Sequence, residues 1–315
     1  MNYGRVVAVG GDRVVSSGPR VAVLGAGGTM GLGMARNIAR AGMRLRAWDR
    51  SREKAEPLSE NDARVVDTPA QAAEDASVVV TMLRDADAVL AVMEGPDGFL
   101  AGVHGSVIWA QMSTIGVQGT ERCAELAQQH GVTFVDAPVL GTKQPAERGE
   151  LVIMASGPDE AREPLEPVFA AVGRKTMWVG PAGSGSALKV VTNSWLVTVV
   201  EGTAEAIALA EGSGVDPHHF LDAVSGGPLD SSYMRMKAEA MIKREFEPSF
   251  KLSLAAKDAG LAEELARQHG LDLPLLATIN ARLAEAVPQH GDEDVAATYL
   301  TSAAAVAHAN AHDSS

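Results

Sequence analysis

Between residues 21 and 135 short apolar runs alternate with stretches of helical spacing, and this rhythm limits the chain to few folds. The runs are Val21-Ala22-Val23-Leu24, Leu45-Arg46-Ala47-Trp48, Arg64-Val65-Val66, Val78 to Leu83, Val107 to Ala110 and Thr133-Phe134-Val135. Between the first of them lie Met30 to Ala41, the polar stretch Arg52 to Glu60, and Pro69 to Glu74. Most of these runs are continuously apolar, which suits strands covered on both faces. Strands recurring with helices between them build βαβ units. The expected fold class is α/β, with a Rossmann-type parallel sheet in the first half of the chain.

The rhythm stops near Gly183. Ser186 to Ala210 forms one segment free of proline, with a single glycine and apolar residues on nearly every side. It predicts a buried helix of roughly 37 Å at 1.5 Å per residue. Helical spacing then continues through Pro217–Val224, Ser231–Lys243, Leu252–His269, Pro274–Ala286 and Val295–His308, with breaks at Gly226-Gly227-Pro228, Pro248, Gly270 and Gly291. The expected organisation is an N-terminal extension over residues 1–19, a sheet domain over 20–182 and an all-helical domain over 183–310, with disorder from Asn310 onward.

Composition excludes several function classes. Of 315 residues, 27 are Lys or Arg and 40 are Asp or Glu, a formal charge of −13 without a basic block. No nucleic acid or anionic membrane partner is expected. The single cysteine, Cys123, rules out an intrachain disulfide and a Cys-rich zinc module. The longest charge-free apolar stretch, Val190 to Val200, is eleven residues, too short to span a bilayer. The protein is expected to be cytoplasmic. His308 and His312, four apart, and the adjacent His218 and His219 carry no metal-site expectation.

The chemistry begins at a glycine turn, Gly25-Ala26-Gly27-Gly28-Thr29-Met30-Gly31, between the first strand and the first helix. Glycines there permit a tight turn and a close ligand approach, and the helix start offers free N–H groups to a pyrophosphate. Two registers are open: G-x-G-x-x-x-G from Gly25, or the usual G-x-G-x-x-G with Ala26, Gly28 and Gly31 in the three places. The alternative is an ordinary βα turn. Asp49, twenty-four residues after Gly25, ends the second strand. Its carboxylate can accept from a ribose 2′-hydroxyl, favouring NAD, whereas Arg50, Ser51 and Arg52 would attract the 2′-phosphate of NADP. The cofactor preference stays open, and Arg50 and Arg52 could equally be a solvated helix start.

Lys189 and Asn193 are four apart and share one face of a helix. A lysine near a helix start and partly desolvated has a lowered pKa, suited to proton transfer near neutrality. The alternative is a lysine snorkelling from an apolar helix.

Five ordered stretches resemble the β-hydroxyacid dehydrogenases. This group includes 3-hydroxyisobutyrate dehydrogenase and the glyoxylate/succinic semialdehyde reductases, and is related to 6-phosphogluconate dehydrogenase. The stretches are Met30-Gly31-x-x-Met34-Ala35-x-Asn37, Met112-Ser113-Thr114, the run from Asp136-Ala137-Pro138-Val139-Leu140-Gly141-Thr142 to Glu147, Gly183-Ser184-Gly185-x-x-x-Lys189-x-x-x-Asn193, and Phe250-x-Leu252-x-Leu254-x-x-Lys257-Asp258. The resemblance covers about Val21 to Ala307. It implies an NAD(P)-dependent dehydrogenase or reductase acting on a small carbonyl or hydroxyacid, assembled as a homodimer or homotetramer through its helical domain.

By the same resemblance Lys189 is the catalytic acid/base and Asn193 orients substrate. Cofactor contacts come from Gly25 to Met30, Asp49, Arg50, Ser51, Met82, Leu83, Thr114 and Lys257. Substrate contacts come from Thr114, Leu140, Gly141, Thr142, Phe250 and Asp258, with Lys143 adding charge nearby. Thr114, with Ser113, could instead cap the following helix, and Lys257-Asp258 could be a surface ion pair. Leu140 stands where many relatives carry a carboxylate-binding serine, which suggests a more apolar neighbour to the reacting carbon. Arg84 replaces a common proline. Two rivals remain: an imine reductase on the same scaffold, and a non-catalytic dinucleotide-binding module.

Overall fold

The structure, a computed structural model, describes residues 18–303. The expectations for the extension up to residue 17, for His308 and His312, and for residues 310–315 lie outside the described residues. The chain opens with β1 (Arg20–Leu24), α1 (Gly31–Arg40), β2 (Arg44–Trp48), α2 (Arg52–Ala55), β3 (Arg64–Val65), α3 (Pro69–Ala73) and β4 (Val78–Thr81). It continues through α4 (Ala86–Met93), β5 (Ile108–Gln111), α5 (Gly116–Gln129) and β6 (Thr133–Asp136). These six strands form one parallel sheet in the order β3-β2-β1-β4-β5-β6. Side chains alternate across it. Val21, Val23, Val78 and Val80 pack to one face with Met34 and Ile38 of α1, while Ala22, Leu24 and Val79 pack to the other with Trp109 and Phe134. The strand order reverses between β1 and β4, which opens a crevice beyond their C-terminal ends, where ligands of such sheets bind.

A second, smaller sheet follows, made by β7 (Val139–Leu140), β8 (Leu151–Ala155) and β9 (Gly173–Trp178), with α6 (Lys143–Arg148) and α7 (Arg162–Val172) between them. Its order is β7-β8-β9, antiparallel then parallel. The remainder is helical: α8 (Ser184–Gly212), α9 (Pro217–Val224), α10 (Ser232–Lys243), α11 (Leu252–Gln268) and α12 (Pro274–His290). A 3-10 turn at Val295–Thr298 leads into helical backbone up to Ala303. No helix among the described residues is long and apolar enough to cross a membrane.

Four sequence expectations are corrected. The stretch Arg52 to Glu60 is only one α turn, α2, which tightens into a 3-10 segment over Glu56–Asn61 where Pro57 supplies no N–H. The strand expected to reach Leu83 stops at Thr81, because its partner β1 ends at Leu24 opposite it. The C-terminal helix expected from Val295 starts with the 3-10 turn. Finally, α8 is not buried all round: Val191, Trp195 and Leu209 project from it, Trp195 being 68% exposed.

In the helical part, Lys237 of α10 and Asp294 form an ion pair at 2.6 Å with both side chains buried. Asp294 also accepts from Ser249 N and Oγ, Phe250 N and Ala296 N. One carboxylate thereby fixes the loop that leads into α11.

Candidate active site

The glycine turn is set by close packing. Gly25 has φ +90°, and a Cβ on it would lie 2.3 Å from the Met82 carbonyl oxygen; one on Gly31 would lie 2.0 Å from the Gly25 carbonyl oxygen. These two glycines fill the turn and helix-packing places, so the register is G-x-G-x-x-x-G from Gly25. The register through Ala26 is set aside, since Ala26 already accommodates a side chain in the core. Met30 caps α1 with no side-chain hydrogen bond; Leu32 N donates to Gly28 O, which leaves Gly31 N and Gly33 N as donors for a phosphate. Gly28 lies inside the turn, and Thr29 is exposed beside it.

Gly27 N donates to Asp49 Oδ2 at 2.9 Å and Ser51 N to Asp49 Oδ1 at 3.0 Å, so the carboxylate at the end of β2 is tied to the turn. A Cβ on Gly27 would collide with Lys54 Cβ and Asp49 Cγ, at 2.6 and 2.9 Å. Arg50 is exposed and its side chain makes no hydrogen bond or ion pair among the described residues. Arg52 is drawn away: it pairs with Asp67 at 2.6 Å and approaches Glu56 at 3.7 Å.

Met82 and Leu83 follow β4 at the mouth of the crevice. Met82 N donates to Leu24 O at 3.0 Å and Leu83 N to Ser113 Oγ at 2.9 Å. Ser113 is fully buried and locked to Gln111, so it holds the ends of β4 and β5 together. Thr114 does not cap α5; the N-cap is Ile115, without a side-chain bond.

From the helical side comes Lys189, the sixth residue of α8 and only 7% exposed. Burial pushes its pKa down to about 8; Asp258 opposes that shift and Lys257 adds to it. Of the two expected causes, desolvation is the largest contribution to the shift; Lys189 lies one and a half turns inside the helix. No described residue offers its Nζ a hydrogen bond or ion pair. Asn193 Nδ2 donates to Asp258 Oδ2 at 2.6 Å, while Asn193 Oδ1 is buried without a partner. Lys257 Nζ lies 2.8 Å from Asp258 Oδ1 and donates to the Thr114 carbonyl. Asp258 is buried, so this pair is not the surface ion pair held open as an alternative. A continuous polar link therefore runs from the end of β5 through Lys257 and Asp258 to Asn193, one turn from Lys189.

The residues expected to contact substrate on the 136–147 stretch and at Phe250 stand apart from that link. Leu140 ends β7 opposite Val152, half-buried. Gly141 has φ +138° and its missing Cβ would touch the Leu151 side chain at 2.7 Å. Thr142 precedes α6 and Lys143 is exposed at its start. Phe250 packs against the helical core. No hydrogen bond or ion pair joins these residues to Lys189, Asn193 or Asp258 among the described residues. Asp136, which binds the first turn of α8, is not among the expected site residues; its position at a strand end, opening the 136–147 stretch, is the signal in the sequence that points to it.

The comparisons agree with this architecture. Residues 20–180 match the family described as the NAD binding domain of 6-phosphogluconate dehydrogenase, and residues 183–301 match NAD-binding of NADP-dependent 3-hydroxyisobutyrate dehydrogenase. The uncharacterized oxidoreductase YfjR of Bacillus subtilis is 34% identical over 284 residues, covering 88% of this chain and 98% of its own. Glyoxylate/succinic semialdehyde reductase 2 of Arabidopsis thaliana is 29% identical over 272 residues, covering 86% and 76%. The structure of 3-hydroxyisobutyrate dehydrogenase from Mycobacterium tuberculosis with L-serine superposes with a TM-score of 0.81 at 28% identity, over 90% of this chain and 99% of that one. With both family models matched along the chain and a relative 34% identical over most of its length, the chain belongs to the β-hydroxyacid dehydrogenase family of NAD(P)-dependent oxidoreductases.

Proposed function

We propose that the protein interconverts a small carbonyl compound and its alcohol, with Lys189 carrying the proton. The observation behind this is a buried lysine with no hydrogen bond or ion pair among the described residues, one helical turn from a buried amide oxygen without a partner, the amide being tied to the sheet through Asp258 and Lys257. Buried polar groups without partners are rare, and here they converge where a ligand would satisfy them. The glycine turn and the uncapped start of α1 fit a dinucleotide, and a nicotinamide bound there supplies or accepts the hydride. The Lys189 ammonium donates its proton to the carbonyl oxygen as the carbon is reduced, and the resulting amine is reprotonated from solvent. In the reverse direction the amine takes the hydroxyl proton. Asp258 and Lys257 hold Asn193 so that its Oδ1 can accept from a substrate hydroxyl.

The test is oxidation of NADH and NADPH by the purified protein with glyoxylate, succinic semialdehyde and a cyclic imine. Carbonyl reduction should fall as pH rises through about 8, where the ammonium is lost, and alcohol oxidation should rise through the same value. Turnover of the imine alone would establish the imine-reductase rival. Cofactor binding without any turnover would establish the non-catalytic module.

We also infer self-association along α8. Val191, Trp195 and Leu209 lie on one side of the helix and are exposed, a liability for a solitary protein. A homodimer is expected by light scattering, and Trp195→Glu should convert it to a monomer. A wild-type monomer at micromolar concentration would refute this.

A further inference from the structure

Asp136 ends β6 and is fully buried, yet it takes no part in the proton path described above. We infer that Asp136 is a positioning residue that sets the rotation of α8 about its own axis, aiming Lys189 and Asn193 into the crevice. This rests on the proton role proposed for Lys189.

The grip is made of several bonds on one turn. Ser186 N donates to Asp136 Oδ2 and the Ser186 hydroxyl donates to Oδ1, each at 2.7 Å. Ser156 Oγ donates to Oδ2 at 3.1 Å and accepts from Gly185 N at 2.9 Å. Thr120 Oγ1 of α5 lies 2.7 Å from Ser186 Oγ. The first turn of α8 is thus held from β6, from the residue after β8 and from α5. It also sits directly on backbone, since a Cβ on Gly185 would lie 2.2 Å from the Met154 carbonyl oxygen.

A single hydrogen bond fixes a distance. Holding both the N–H and the hydroxyl of Ser186 with the two oxygens of one carboxylate fixes an angle as well. Ser186, Lys189 and Asn193 stand at i, i+3 and i+7, within about 60° of one another around the helix. The direction imposed at Ser186 is therefore inherited by the two residues beyond it. A negative group at a helix start is also favourable in its own right. Every polar atom of this cluster is satisfied, which marks it as a support and not a binding site.

The test compares Asp136→Ala with Asp136→Asn in the full-length enzyme. The asparagine keeps an acceptor for Ser186 N and turns its amide to the Ser186 hydroxyl. Asp136→Ala should lower kcat about tenfold to a hundredfold, the effect of misplacing a reacting group by an ångström or so. The KM for NAD(P)H should change by less than about threefold, because the glycine turn is untouched. The alkaline limb of kcat/KM should move above about 8, since a turned Lys189 regains water while its charged neighbours Asp258 and Lys257 stay in place. Asp136→Asn should stay within about threefold of wild type.

A purely stabilising Asp136 would lower the melting temperature and leave kcat per folded molecule and the alkaline limb unmoved, which overturns the inference. If Asp136→Ala does not fold, Ser186→Ala carries the test, with a kcat loss of about five- to tenfold expected; unchanged kcat and limb there overturn it too. Lys189→Met separates the two readings. Activity in that variant defeats the proton role. An inactive Lys189→Met beside normal Asp136→Ala and Ser186→Ala variants defeats only the positioning role.

Discussion

Lys189→Met is expected to lower carbonyl reduction by about a hundredfold to ten-thousandfold, the range for loss of a positioned acid, while raising the melting temperature. Methionine preserves the unbranched side chain at a site that is only 7% exposed and removes a charge that burial disfavours. The folded pKa of about 8 against a reference of 10.5 corresponds to roughly 3 kcal/mol at 1.36 kcal/mol per unit. The partial access of the lysine to the crevice makes about 1–3 kcal/mol the realistic gain for the variant. The pH dependence has a definite sign. Below about pH 8 the lysine is charged in both states, and the native protein bears the full penalty of holding an ammonium in the interior. Between about 8 and 10.5 the unfolded chain binds more protons than the native one, so wild-type stability rises with pH. The advantage of the variant should therefore be largest at pH 7 and shrink by pH 10 in thermal unfolding. A difference that does not vary between those two pH values would refute the desolvated-ammonium account.

Asp294→Ala is expected to destabilise the protein by about 3–5 kcal/mol, because it leaves the Lys237 charge buried and unpaired. In the same variant four further donors, Ser249 N and Oγ, Phe250 N and Ala296 N, lose their acceptor. The loop carrying Phe250 should loosen, and with it the start of α11, which holds Lys257 and Asp258. Lys237→Met should cost less than half as much, since Asp294 keeps its four other donors when the lysine is gone. Denaturant unfolding of the two variants measures this directly. Equal losses would mean that the ion pair itself, and not the loop it organises, carries the stability.

Much of the fold was legible from local pattern. β1 and β4 are continuously apolar because both of their faces are covered, and the glycines after β1 announce a strand-to-helix turn. Lys189 and Asn193 fall on one face by spacing alone. The small sheet was not legible. β7 has two residues, and β9 carries Arg174 and Lys175 with an exposed pattern, so neither shows an apolar run or a clean alternation. The register of the glycine turn was also hidden, because it depends on which backbone atoms, Met82 O and Gly25 O, crowd each glycine.

Alternation and motif order alone determined the fold class, the two-part organisation to be expected and the residue types available for chemistry, because strands, helices and turns answer to their own local spacing. Tertiary packing alone decided the electrostatics: how far burial lowers the pKa of Lys189 against the opposing charge of Asp258, that Arg52 pairs with Asp67, and that Asp136 grips Ser186 fifty residues away. Desolvation and hydrogen-bond pairing depend on what stands beside a group in space, and neighbours so distant along the chain leave no periodic trace in it.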